Sequence, residues 1–184
     1  MYCGNNKTAL MSQEQISQAM MRLIRQKPYA QISVSELCKA AGISRQTFYS
    51  LFTSRENVMI FTLQAQCGCQ EAEEKRRPVS SPGESLREIC RGTSEYLYRN
   101  RDLIRILTDN HIDYLLYDTF HELLSQADCL WGRMDECTRS YASSFYAGGV
   151  SCIARQYARE GCAASPQQLE ELLIRLFSGS LFMD

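Results

Sequence analysis

The sequence predicts an all-α protein, with an N-terminal three-helix unit built on a helix-turn-helix and a larger helical body behind it. Three observations carry this. Apolar residues recur at helical spacing along nearly the whole chain, and no alternating strand pattern persists for more than a few residues. The four prolines, Pro28, Pro78, Pro82 and Pro166, all fall where a helix should end or begin. Residues 33–50 read as two short helices around a glycine, each too short to stand alone.

A first helix is expected over about 8–26, with Leu10, Ile16, Met20, Leu23 and Ile24 on one face. It stops before Pro28, because proline disfavours helical geometry in the residue preceding it. Ser33-Val34-Ser35-Glu36 reads as a capping box, the Ser33 hydroxyl accepting from the Glu36 amide and the Glu36 carboxylate reaching back to the Ser33 amide. The helix it opens turns Val34, Leu37, Cys38 and Ala41 inward and ends at Gly42; Ser44 caps the next, over 45–50. Thr53 and Ser54 begin a longer helix that carries Val58, Met59, Phe61 and Leu63 and reaches toward Glu74. Residues 75–83, rich in proline, serine and glycine, form a loop. Beyond it helices are expected near 83–99, 101–108, 111–127, 132–160 and 166–182. The fourth of these holds Ala147-Gly148-Gly149 in its middle, a pair of glycines that implies a kink or the close approach of another backbone.

Composition narrows the function classes. A hydrophobic fraction of 45% and a charged fraction of 22% belong to a folded globular chain. No apolar run approaches the roughly 18 residues needed to span a bilayer, and the first residues lack the apolar core of a secretory signal, so a cytoplasmic protein with no membrane partner is expected. The net charge of −1 is unevenly spread. Residues 1–60 carry seven basic and three acidic side chains, a balance of +4, which leaves −5 for the remaining 124. A basic head on an acidic body suits contact with phosphates at one end.

Nine scattered cysteines, Cys3, Cys38, Cys67, Cys69, Cys90, Cys129, Cys137, Cys152 and Cys162, with no CxxC pair and two histidines, His111 and His121, point to small buried hydrophobes; no metal site and no cofactor are expected. There is no Gly-rich phosphate loop, GxSxG, HExxH or paired-carboxylate arrangement, so the chain is not read as an enzyme.

The chemistry lies in residues 33–50. In a helix-turn-helix the second helix enters the major groove, which is about 12 Å wide, while the first braces it. With Ile43 and Phe48 inward, the second helix offers Ser44, Arg45, Gln46, Thr47, Tyr49 and Ser50, donors and acceptors without a carboxylate. Arginine pairs with guanine and glutamine with adenine, and threonine bonds a base edge or packs on a thymine methyl. Tyr49 and Thr47 suit phosphate oxygens, and Arg55, at the start of the next helix, suits a phosphate beside the backbone amides. Spacing alone also allows a helical hairpin with a polar surface.

Residues 8–64 resemble the DNA-binding domain of the TetR family of transcription regulators. The resemblance is carried by an unbroken run from Ile32 to Glu56 that includes Ser33-Val34, Leu37, Ala41-Gly42-Ile43-Ser44, Thr47-Phe48-Tyr49, Phe52 and Ser54-Arg55-Glu56. It implies three DNA-binding helices in domain 1–53, and an effector-binding and dimerisation domain, 54–184, in a homodimer. Carried over by position, Arg45, Gln46, Thr47, Tyr49 and Ser50 are recognition-helix contacts. Ser33, Val34 and Ser35 meet the backbone, and Arg55 holds a phosphate. Leu51 departs from the family, standing where a polar backbone contact is common.

The resemblance further implies a repressor released from a palindromic operator in double-stranded DNA by a small-molecule effector. Tyr96, Tyr114, Tyr117, Trp131, Tyr141 and Phe145 are the residues expected to line the effector site, although core packing explains them equally well. The helix over 132–160 and the last helix would form the dimer interface through Tyr146, Gly149, Val150, Ile153, Leu169, Leu172, Leu173 and Leu176. The alternative is a regulator of the same type whose body senses a partner protein, or thiol oxidation at residues such as Cys67 or Cys69.

Overall fold

The computed structural model describes residues 4, 6–65, 82–125, 131 and 134–179. Among them all regular structure is helical: α1 (Lys7–Ile24), a 3-10 turn (Tyr29–Gln31), α2 (Val34–Ala41), α3 (Arg45–Leu51), α4 (Arg55–Ala65), α5 (Pro82–Arg99), α6 (Arg101–Asp109), α7 (Leu115–Ser125), α8 (Glu136–Arg159) and α9 (Pro166–Phe177). The chain forms two compact units, one ending at Ala65 and the other beginning at Gln66. The expected continuation of the fourth helix toward Glu74, the loop at 75–81 and the last residues to 182 lie outside the described residues.

In the first unit α1 packs against α2, α3 and α4. Ile16, Met20, Ile32, Leu37, Phe48, Phe52, Met59 and Leu63 are fully buried, so the core draws on every helix and on the turn before α2. Leu10, assigned to the inner face by spacing, is 45% exposed, because it lies in the first turn of α1. A buried hydrogen bond of 2.7 Å between the Ser17 and Thr62 hydroxyls joins α1 to α4. With Val58 and Met59 also buried, α4 completes this unit, which runs to Ala65.

In the second unit α9 lies against α5, and α8 against α7 and α6. Leu97, Ile104, Leu107, Leu116, Ala147, Ala154 and Leu173 form its fully buried core. Asp135 caps α8, accepting from the Thr138 amide at 3.0 Å. Ser165 and Gln168 cap α9 reciprocally, with Pro166 at its first position, where a missing N–H costs nothing. An ion pair of 2.5 Å joins Arg155 of α8 to Asp113, just before α7. The helix α8 runs unbroken through Gly148 and Gly149. The close approach comes from a side chain of the same protein: a Cβ on Gly149 would stand 3.0 Å from the Phe177 ring, whereas nothing lies near Gly148.

Candidate nucleic-acid interface

The turn between α2 and α3 is set by Gly42, whose φ of +69° places it in the left-handed region that side chains disfavour. Its amide donates to the Cys38 and Lys39 carbonyls, and the Ile43 amide donates to the Cys38 carbonyl at 3.0 Å. The end of α2 is thereby satisfied while the chain reverses into α3. Ser44 then caps α3, its hydroxyl accepting from the Thr47 amide at 3.0 Å and lying 2.9 Å from the Thr47 hydroxyl.

On α3 the sequence divides cleanly. Phe48 and Leu51 are buried, and Thr47 is half-buried. Arg45 and Tyr49, one turn apart, share the outer face with Gln46 and Ser50, and all four are exposed. Tyr49 is 51% exposed and meets Phe48 edge to face at 5.3 Å, which supports the ring from beneath while the hydroxyl end stays outside. The Ser50 hydroxyl donates to the Thr47 carbonyl at 2.8 Å, so one of its bonds is already made within the helix. Ser33 and Ser35 are exposed at the start of α2, with Val34 half-buried between them.

The capping box at α2 forms by half. Ser33 accepts from the Glu36 amide at 3.2 Å, but the Glu36 carboxylate takes Lys27 at 2.5 Å instead of the Ser33 amide. That hydrogen bond, against an opposing effect of desolvation, holds the Glu36 carboxyl below its ordinary range. A full cation outcompetes a neutral amide for the carboxylate. Arg22 of α1 donates to the Ala40 carbonyl at 3.2 Å and ties α1 to the far end of α2.

Arg55 does not stand among the exposed residues of α3. Its Nη1 donates to the Tyr29 carbonyl at 3.1 Å and to the Ile32 carbonyl, and its guanidinium lies 4.7 Å from the Tyr29 ring centre. Tyr29 is buried, and its hydroxyl donates to Glu56 at 3.0 Å. Burial pushes the Glu56 carboxyl up, but hydrogen bonds from its own amide, Ser54 and Tyr29, with the charge of Arg55, bring it below the ordinary value. The sequence signal for this cluster was an aromatic residue directly after Pro28, which periodicity passes over.

The body does not bring the six expected effector residues together. Tyr96 is buried and meets Phe120 edge to face at 5.6 Å; Trp131 is buried, donating to the Leu124 carbonyl at 2.7 Å. Tyr114, Tyr117, Tyr141 and Phe145 are exposed, Tyr141 by 76% and Phe145 by 68%. Tyr117 stacks on His121.

The expected dimer residues divide as well. Val150, Leu169 and Leu173 are buried within the unit, and Tyr146 packs on Phe177 at 4.7 Å. Ile153, Leu172 and Leu176 line an open groove of about 730 Å³ along α8 and α9, with Cys152, Tyr157 and Leu169. Burial pushes the thiol of Cys90 up to about 11 and raises that of Cys38. Cys67 and Cys69 lie outside the described residues. Among the described residues no three His, Cys, Asp or Glu side chains form a group that could hold a metal ion, and no helix is long and apolar enough to cross a membrane.

The family described as bacterial regulatory proteins, tetR family, matches residues 16–60, which span the helix-turn-helix and its supports. Residues 16–60 are thus a domain of the TetR type. Over 76 residues, 39% of the chain, it is 41% identical to the HTH-type transcriptional regulator EthR of Mycolicibacterium smegmatis, covering 33% of that protein. It is 38% identical over 55 residues to DhaS of Lactococcus lactis, an HTH-type transcriptional activator of the dhaKLM operon, covering 29% of it. The matched stretch thus spans about a third of the length of these curated relatives. A likeness of fold extends over the body: the solved structure of Lin0861 from Listeria innocua matches with a TM-score of 0.77 at 14% identity, covering 100% of this chain and 97% of that one.

Proposed function

We propose that the protein is a DNA-binding transcription regulator, a homodimer that reads a palindromic operator through α3. The observation that carries the reading is the exposed face of α3, where Arg45, Gln46, Tyr49 and Ser50 stand over the buried Phe48 and Leu51. Arg45 and Gln46 address base edges, Tyr49 and Thr47 the phosphates, and Ser33, Val34 and Ser35 the adjoining backbone. Ser44 contributes as the cap that orients α3. The two recognition helices of a dimer must lie about 34–36 Å apart to enter successive major grooves. The groove along α8 and α9, with Leu172 and Leu176 exposed, is the surface on which we place the second copy. We place the protein in the cytoplasm, beside the DNA it reads.

Its output is repression, relieved when a small molecule in the body favours a dimer with the wrong helix spacing; only differential affinity for the two states releases DNA. Tyr96 and Trp131, both buried, are the aromatics inside the body beside which we place the effector. The name of DhaS favours a second reading, activation through the same head. The exposed Tyr114 and Tyr117 fit a body that receives a partner protein.

Selection of bound sequences from a random duplex library tests the core of the proposal. A palindromic site should emerge, and Arg45→Ala should cost about 1–3 kcal/mol on it while relaxing one base position. No enrichment would refute DNA reading. A reporter behind the recovered site then separates repression from activation, and titration with candidate effectors tests release.

A further inference from the structure

Arg55 and Glu56 are consecutive residues at the start of α4, and both hold Tyr29. Arg55 takes its carbonyl at 3.1 Å and lies over its ring; Glu56 takes its hydroxyl at 3.0 Å. The second carbonyl on Arg55 belongs to Ile32, the residue immediately before Ser33, the cap of α2. The segment Tyr29–Ile32 is a single 3-10 turn and the extended residue that follows it, so it has few main-chain bonds of its own to fix it. Ile32 is fully buried and Tyr29 nearly so, which leaves the segment no freedom to swing outward while these bonds persist.

We infer that Arg55, Tyr29 and Glu56 form a clamp that fixes the start of α2 against the start of α4, making Arg55 a positioning residue for DNA recognition and not a phosphate ligand. A guanidinium whose Nη1 is committed to two carbonyls and whose face lies on an aromatic ring is held in place by the protein. Through the clamp a displacement of α4 is passed to α2, and through the Gly42 turn to α3. The clamp itself stands on the contacts of the first unit; its consequence for DNA rests on the DNA-binding reading.

Two measurements test it. In the free wild-type protein, ¹⁵N spectra of the guanidinium should show Arg55 with restricted rotation and separate Nη signals. A freely rotating Arg55, indistinguishable from exposed arginines, would overturn the clamp. On the selected duplex, Arg55→Ala should weaken binding about ten-fold, the worth of one hydrogen bond to a charged group, with the salt dependence of wild type. A phosphate ligand would instead lower the slope of log affinity against log salt by about 0.9 for each protomer, about 1.8 for the dimer, and that result would also overturn the proposal. If wild type enriches no duplex, the DNA reading fails while the guanidinium spectrum still decides the clamp. The same spectrum serves if Arg55→Ala does not fold.

Discussion

Individual side chains in the first unit do two separable kinds of work. Those on α3 are displayed, and those around Tyr29 are consumed in holding the display together. Tyr49 belongs to the first kind: its ring rests on Phe48 while half its surface is exposed. Tyr49→Phe keeps that packing and removes the hydroxyl, so stability should be unchanged in urea unfolding while affinity for the selected duplex falls by about 1 kcal/mol, one hydrogen bond's worth. Glu56 belongs to the second kind. Its carboxyl lies below its ordinary value in the folded state, so the stability it contributes is present above the unfolded value of about 4.5 and is lost as pH falls through the folded one. Wild type should therefore exceed Glu56→Gln in stability at neutral pH, and the difference should shrink as pH is lowered past 4.5 toward the folded value. Denaturant unfolding at a series of pH values checks this; a difference independent of pH would show that ionisation of Glu56 contributes nothing.

Helices here are short, and their ends decide whether they form. Ser33, Ser44, Asp135 and Ser165 each cap a helix with a side-chain oxygen on a main-chain amide three residues on. Gly42 ends α2 at a φ of +69° with open space around it, so Gly42→Ala meets no clash and suffers from the backbone alone. A loss of about 1–2 kcal/mol is expected, the cost of an L-residue in the left-handed region. The neighbouring glycines of α8 offer a contrast within one helix. Nothing lies near Gly148, so alanine there should add about 0.5–1 kcal/mol of helix stability. Alanine at Gly149 meets Phe177 at 3.0 Å and should lose about 1 kcal/mol instead, as overpacking does. Thermal or urea unfolding of the two variants at equal protein concentration distinguishes them, and equal shifts would show that Phe177 does not press on α8.

At the scale of the whole molecule, the proposed function depends on pairing two copies. The second unit leaves Tyr141, Phe145, Leu172 and Leu176 exposed, and Leu172 and Leu176 border the groove along α8 and α9. Large exposed apolar side chains on adjoining helices mark an association surface. The double variant Leu172→Glu/Leu176→Glu should convert a dimer to a monomer in sedimentation equilibrium, with the helical spectrum retained. Each monomer would then engage one half-site, and affinity for the palindrome should fall by at least 100-fold, since the second half-site no longer binds at high effective concentration. A variant that stays dimeric would move the interface elsewhere on the body.

Sequence by itself determined the helical class, the Ser33 and Ser44 caps and the division of α3 into buried and displayed faces. These are local matters, settled by periodicity, by capping residues and by the left-handed glycine at position 42. Pro166 marked the start of α9, and the Ile32–Glu56 run was enough for the resemblance to the TetR family. Tertiary structure alone decided the rest, because it depends on which distant groups meet. Lys27 took Glu36 from its expected cap partner. The Tyr29 and Ile32 carbonyls met Arg55, and Phe177 accounted for Gly149. Packing on α1 gave α4 to the first unit. Aromatic content suggested a ligand site in the body, yet spacing could not say that Tyr114, Tyr117, Tyr141 and Phe145 would face outward. Periodicity reports that a residue has an apolar side; only the neighbouring helix decides whether that side is covered.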